Sequence, residues 1–280
     1  MGGLGNQLFV WAGAHKLAEL YSDEVCILNL IDRNLRIDRP NELKSLKSHC
    51  SHAIKLRDSK YISIMLRILD KFQIEKYFIC RELLQKAGFY TFENPTAKIE
   101  FLKGKPRFVR GYFQRDQYVE SVWEQISNEI NGLLDLTEVL DISFYSQMQA
   151  IHFRRGDTIY LKNTLGVLSV KYYLNNLLPN ITRLVCTDDI NFEKFIENSV
   201  SNSIVLTPLH TNAWQTLKIF SSAKEFLGSN STLSWWAAKI RSKNGMNRSV
   251  LPVPWTVTKL NYETYLNIAG VNLSPAKFEL

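Results

Sequence analysis

Ala150-Ile151-His152-Phe153-Arg154-Arg155-Gly156-Asp157 passes from an apolar strand pattern straight into a charged cluster. Side chains alternate along a strand, so His152 and Arg154 share one face while Ile151 and Phe153 share the other. The same rhythm continues downstream. A helix is expected around Lys171–Leu178, then the strand Leu184-Val185-Cys186, which ends in Thr187-Asp188-Asp189. Phe192 to Ile196 reads as a helix, Ile204-Val205-Leu206 as a strand and Trp214 to Ser222 as a helix. Glu225-Phe226-Leu227 is the next strand; it runs into Gly228-Ser229-Asn230-Ser231-Thr232 and a helix carrying Trp235 and Trp236. Alternating strand and helix predict an α/β fold, a parallel sheet with helices on both faces.

The first half is less regular. Gly2-Gly3-Leu4-Gly5-Asn6-Gln7 leads into a helical stripe of Val10, Ala14, Leu17 and Tyr21, followed by the strand Val25–Leu28. A glycine loop of this kind normally leaves the end of a strand, and only Met1 stands before it, so the first N-terminal strand is expected to be missing. Residues 33–60 are polar and irregular, and Ile62, Met65, Leu66 and Leu69 sketch an amphipathic helix. Phe108–Phe113 reads as a strand, and Val119, Val122, Ile126 and Ile130 as a helical stripe. The acidic, Gly132-containing segment 131–141 is the linker candidate, giving halves of 1–140 and 141–280.

Composition narrows the class. With 280 residues, 45% hydrophobic and 22% charged, the chain can bury a core without staples and is not a disordered protein. No apolar run approaches the ~18 residues of a membrane span, and the start lacks a secretory pattern, so a soluble or peripheral protein is expected. Cys26, Cys50, Cys80 and Cys186 stand far apart and form no Cys-x-x-Cys pair, which favours reduced buried thiols over disulfides or zinc. The net charge of +7 suits a phosphate-bearing small molecule, an anionic membrane surface or nucleic acid equally well.

Ligands of open parallel sheets bind beyond the carboxyl ends of the strands. Three polar clusters fall there. Arg154 and Arg155 offer two donor forks suited to phosphate oxygens, or a surface ion pair with Asp157. Thr187, Asp188 and Asp189 read as a helix cap or a ligand contact. Ser229 to Thr232 read as a cap or an anion site at a helix start. Trp235 and Trp236 are expected in packing. Gly3-x-Gly5 is a weak dinucleotide fingerprint, since Leu8 holds the third glycine position, and no phosphate-binding Gly-x-x-x-x-Gly-Lys loop exists. No histidine pair has metal-ligand spacing and no Asp-x-Asp stands at a strand end. A phosphorylated ligand is therefore expected to be neutralised by arginines and helix N-termini, with no metal and no cofactor. The aromatic and basic run Phe108–Arg115 lacks an RNA-binding signature, so no nucleic acid partner is expected.

These motifs coincide with a known family. Gly2-Gly3-Leu4-Gly5-Asn6-Gln7-Leu8-Phe9, His152-Phe153-Arg154-Arg155-Gly156-Asp157 and Ser229-Asn230-Ser231-Thr232-Leu233-Ser234-Trp235-Trp236 resemble the signature blocks of the α-1,2-fucosyltransferases of glycosyltransferase family 11. Gly111-Tyr112-Phe113-Gln114, Gly166–Ser169 with Tyr172-Tyr173, Thr187–Asp189 and Pro252–Trp255 are lesser matches, and the resemblance covers residues 2–257. It implies a GT-B-like fold of two Rossmann-type halves with parallel sheets: an acceptor-side half, 1–140, and a GDP-binding half, 141–280. The implied reaction is inverting transfer of L-fucose from GDP-β-L-fucose to O2 of a galactose in a glycan acceptor, as in polysaccharide biosynthesis. By the same resemblance Arg154 acts on the β-phosphate, supported by His152, Arg155 and Asp157. Asp188, Asp189, Ser229, Asn230 and Ser231 bind the donor, and Asn6 and Gln7 sit near the reacting sugar. Asp157, Asp116 and Glu225 are the candidate bases. Gln215-Thr216 follows Trp214 where family members often carry an acid, so another GDP-deoxysugar is the alternative donor; an inactive truncated remnant or basic binding protein is the other alternative. The implied location is cytoplasmic, with peripheral contact at the inner membrane face as an option.

Overall fold

The computed structural model describes residues 3–22, 25–29, 41–48, 54–58, 78–92, 94–100, 102, 104–246, 248–258 and 267–279. The helix expected at Ile62–Leu69 and Cys50 lie outside these residues, as do the side chains of Cys26, Cys80 and Asp157. The chain divides into two compact units, Met1–Leu133 and Leu134–Leu280.

In the first unit, helix α1 (Leu4–Tyr21) is followed by β1 (Val25–Asn29), which pairs in parallel with β2 (Ile54–Asp58). Helix α2 (Phe78–Lys86) leads to β3 (Phe89–Thr91), parallel to β4 (Phe108–Arg110). Helices α3 (Asp116–Ser121) and α4 (Trp123–Leu136) follow. The expected stripe is buried at all four positions, Val119, Val122, Ile126 and Ile130. Helix α1 differs from its expected single face. Leu4, Leu8, Phe9, Trp11 and Ala12 are buried while Val10 and Tyr21 are only half-buried, so its first turns are enclosed nearly all round. Three further expectations are corrected. The irregular segment 33–60 contains β2, the strand at 108–113 ends at Arg110, and the linker at 131–141 begins as helix α4. Gly132 costs the helix about 1 kcal/mol, which burial of Ile126, Ile130 and Leu134 offsets.

The second unit opens with the short helix α5 (Ile142–Tyr145) and β5 (Gln149–Phe153). Then come α6 (Val170–Asn175), β6 (Arg183–Thr187), α7 (Glu193–Ser199), β7 (Ser203–Leu206), α8 (Ala213–Ser222) and β8 (Glu225–Leu227). Helix α9 (Thr232–Lys243), β9 (Ser249–Val253) and β10 (Asn272–Pro275) complete it. All six strands are parallel, in the order β10-β9-β8-β5-β6-β7. The chain starts in the middle at β5, builds outward through β6 and β7, then crosses back to β8 and builds the other way. That is the doubly wound 3-2-1-4-5-6 order, whose reversal point lies between β5 and β8. The α/β class with parallel sheets is thus as expected.

Every residue of β5, β6 and β8 is buried, as central parallel strands require. Ile151 and Phe153 join Leu168, Tyr172, Tyr173, Val185 and Ile196 in one core cluster. Trp235 and Trp236 are fully buried in packing. Cys186 is a free, buried thiol whose pKa burial pushes up to about 12. Sequence reading missed β9 and β10, since Pro252 and Pro275 argue locally against strand.

One buried cation ties this unit together. Arg241 on α9 is fully buried; it donates to Ser249 Oγ at 2.9 Å, to the Phe220 carbonyl at 3.3 Å, and to the Lys224 and Arg248 carbonyls at 3.2 Å. Its shortest contact is with the Ala223 carbonyl. Burial lowers its pKa to about 10, so it stays charged at neutral pH. Arg241→Leu leaves several buried carbonyls without donors and should cost about 3 kcal/mol or more, read as a fall in urea midpoint.

Candidate functional site

Because β5 is flanked by β8 and β6, the loops leaving their carboxyl ends are neighbours although far apart in sequence. The three clusters read from the sequence meet here. At the end of β5, Arg154 Nη1 donates to Ser231 Oγ at 3.0 Å. Ser231 is the N-cap of α9, and its Oγ also accepts the Leu233 N–H at 3.3 Å. The Arg154 fork is thereby held beside the positive end of a 12-residue helix, across the reversal point.

His152 lies on the same side of the strand. Its Nδ1 is 2.7 Å from Ser234 Oγ and 3.2 Å from Ser229 Oγ, and Ser234 Oγ accepts the Ser229 N–H at 3.0 Å. Ser229 and Ser234 are fully buried, so His152 acts as a latch between β5 and the start of α9. Gly228 permits this closeness: a Cβ there would lie 2.5 Å from Leu251 Cδ2 and 3.0 Å from Ser234 Cβ. Tyr172 donates to the Gly228 carbonyl at 3.0 Å, and burial pushes its pKa well up, which keeps it a neutral donor.

The other candidates brace the loops. Asp188 Oδ1 accepts the backbone N–H groups of Arg155 at 2.8 Å and Gly156 at 2.9 Å. A Cβ on Gly156 would sit 2.8 Å from Asp188 Oδ2, so only glycine fits under that carboxylate. Asp189 caps its own turn, accepting from the Asn191 N–H at 3.1 Å, and its Oδ2 is 3.9 Å from Arg155 Nε. Arg155 Nη1 pairs closely with Glu279, a partner no local pattern announces. Asn230 Nδ2 donates to the carbonyls of Leu165 at 3.0 Å and Gly166 at 3.1 Å. Of Asp157 only the backbone is described, at the start of the 3-10 turn Asp157–Leu161. Among the candidate bases, Glu225 begins β8, at the amino end of the strand and away from the cluster at its carboxyl end, and pairs with Arg248 at 2.8 Å.

Asn6 and Gln7 belong to the first unit. Gln7 is buried and its Oε1 accepts the Glu42 N–H at 2.9 Å; Asn6 Oδ1 accepts from Gln114 Nε2 at 2.9 Å. Among the described residues, no group of three or more His, Cys, Asp or Glu is arranged to hold a metal ion, and no helix is long and apolar enough to cross a membrane.

The sequence profile described as Glycosyl transferase family 11 matches residues 3–255. The chain belongs to this family. It is a glycosyltransferase, as its motif blocks implied. It is similar to an Escherichia coli alpha-1,2-colitosyltransferase, 25% identical over 91% of this chain and 90% of that one. It is also similar to the E. coli O-antigen biosynthesis glycosyltransferase WbnK, 25% identical over 95% of this chain and 98% of that one. A crystal structure of POFUT1 in complex with GDP aligns with 90% of this chain and 96% of its own, at 12% identity and a TM-score of 0.42.

The brace by Asp188 gives a direct expectation. Asp188→Ala removes the acceptor for two N–H groups and should speed amide exchange at Arg155 and Gly156 about tenfold or more. Asp188→Asn keeps an oxygen in place and should leave exchange near wild type, as followed by hydrogen–deuterium exchange.

Proposed function

We propose that this glycosyltransferase moves L-fucose from GDP-β-L-fucose to a hydroxyl, O2 of a galactose, on a glycan acceptor of O-antigen synthesis. The observation that carries the reading is the Arg154 fork anchored to Ser231 across the β5–β8 reversal point. The motif resemblance to the α-1,2-fucosyltransferases supports the donor, and the similarity to WbnK supports the setting. The +7 charge is compatible with a cytoplasmic reaction at the anionic inner face of a membrane.

The acceptor oxygen attacks the anomeric carbon in line as the bond to the β-phosphate oxygen breaks. The electron pair goes to the departing GDP, the acceptor proton to a base, and the β-configured donor gives an α-product. Negative charge on the diphosphate grows through the transition state, and a preorganised guanidinium stabilises it without a metal. Arg154 supplies that fork, with the α9 N-terminus and Ser229–Ser231 beside it. Arg155, already paired with Glu279, supports the loop. Asn6 serves the reacting sugar; Gln7 holds the backbone of Glu42.

A second reading keeps the chemistry and changes the sugar. The similarity to a colitosyltransferase, together with Thr216 two residues after Trp214, supports another GDP-deoxysugar as donor. Parallel assays with GDP-fucose and GDP-colitose on phenyl β-galactoside decide between them: transfer at least tenfold faster with one donor assigns the sugar.

Arg154→Lys keeps the charge but loses the two-pronged donor geometry. Turnover should fall on the order of 10²-fold, with the melting temperature unchanged. Near-wild-type turnover in a folded variant would reject the role, and a much lower melting temperature would make Arg154 a structural residue.

A further inference from the structure

We propose that residues 276–279 form a strap on the connection between β5 and α6, and that Glu279 within it is a positioning residue: it holds the Arg155 side chain, and with it the 154–156 loop, in the shape that receives the diphosphate. This rests on the donor site given under the proposed function. The strap lies beyond the stretch 3–255 that the family profile matches, so no motif block announces it.

The strap starts from the sheet edge. Strand β10 ends at Pro275, opposite Val253 of β9, and the Ala276 N–H donates to the Val253 carbonyl at 2.7 Å. In the order β10-β9-β8-β5, that edge is three places from β5. The connection that leaves β5 closes the gap. Asn230, just after β8, donates to the carbonyls of Leu165 and Gly166 and so ties this connection to the end of β8. The chain leaving β10 then pairs with it. The Ser169 N–H donates to the Lys277 carbonyl at 2.7 Å, Leu168 and Phe278 form an antiparallel bridge, and the Glu279 N–H donates to the Val167 carbonyl at 2.8 Å.

Packing fixes which way the strap faces. Ala276 and Phe278 pack against the cluster of Ile151, Phe153 and Leu168, while Lys277 between them is exposed. A side chain on Gly166, φ 79°, would collide with the Phe278 ring, so glycine lets the ring lie down there. Alternation then turns Glu279 away from the cluster, and its carboxylate meets Arg155 Nη1. Arg155 is thereby held at three points. Its N–H donates to Asp188, and its carbonyl accepts Thr158 Oγ1 at 2.9 Å and the Ile159 N–H at 3.0 Å. Its guanidinium has Glu279, with Asp189 Oδ2 3.9 Å from Nε. A residue fixed at N–H, carbonyl and side chain fixes the direction of its neighbour, Arg154. The Arg155 side chain is 15% and that of Glu279 36% exposed, and a pair open to solvent adds little to stability. What it supplies is geometry.

Charge and positioning predict opposite signs when Glu279 is removed. A carboxylate near a diphosphate repels it, so by charge alone its loss tightens GDP binding. By positioning, Glu279→Ala weakens GDP binding and raises the KM of the GDP-sugar about fivefold or more, with the acceptor KM unchanged. Glu279→Gln keeps an acceptor oxygen for Arg155 without the charge and should recover most of that loss. GDP affinity is read by calorimetry, and KM with GDP-fucose or GDP-colitose and phenyl β-galactoside. Lower stability alone reduces the active fraction, hence kcat, and leaves KM alone, so the KM readout holds even in a variant that melts early. Unchanged or tighter GDP binding in Glu279→Ala overturns the proposal, as does a full loss shared by Glu279→Gln. Phe278→Ala keeps the carboxylate and loosens the strap that delivers it. Its donor KM should rise in the same direction, and an unchanged value overturns the strap. Absence of both GDP binding and transfer in the wild type overturns this proposal and the function beneath it. Normal wild-type binding and transfer with unaffected variants overturn only the role of the strap and Glu279.

Discussion

The double pairing of β5 is the constraint on which the second unit depends. Ile151 lies opposite Val185 on β6 and Leu227 on β8 in the same register. A one-residue slip of β5 would exchange its faces. His152 would then enter the apolar cluster around Tyr172, Val185 and Ile196, and Ile151 and Phe153 would meet Ser229 and Ser234. Both outcomes are costly, so the apolar cluster fixes the register, and the register fixes where Arg154 emerges. The site inherits its geometry from packing on the far side of the strand.

Charge at that strand end is distributed unevenly. Arg155 is matched by Glu279 and faces Asp189, while the Asp188 carboxylate faces backbone N–H groups of the loop. Arg154 is held by a neutral hydroxyl, Ser231. One arginine thus braces its own loop through acids, while the other reaches across to the N-cap of α9. This division is a property of partners, not of residue type; two adjacent arginines read identically in the sequence.

That is also where legibility ended. Strands β5 to β8 were readable because buried parallel strands are short apolar runs with polar ends, and the clusters were readable because ligands meet such ends. The sheet order was not readable, and it alone makes residues 154, 188 and 231 neighbours. Ser234 went unremarked because a serine inside a helix has no local signal; its role comes from Ser229 and His152. Asp188 read as a cap or ligand contact, and became a loop brace only once β6 lay beside β5. Glu279 lies at the far end of the chain from Arg155. In the first unit, the stripe at Val119–Ile130 was legible by period, but the enclosure of α1 was not, since its burial on nearly all sides leaves no clean face to detect.

The two units use different polar chemistry, and the difference follows from what each kind of group can discriminate. The second unit gathers guanidinium, hydroxyls and a helix N-terminus, a set whose strength scales with negative charge and which reads little else. The first unit presents amides, Asn6 fixed by Gln114, with Gln7 bound to the Glu42 backbone. Amides are neutral, so they add little to the binding of a diphosphate, but each has a distinct donor end and acceptor end. A group with two unlike ends can tell neighbours apart by position, which a charge cannot. The hydrogen bonds that Asn6 Oδ1 accepts from Gln114 and Gln7 Oε1 from the Glu42 backbone therefore matter for orientation more than for charge, because an amide free to turn over presents both polarities and distinguishes neither.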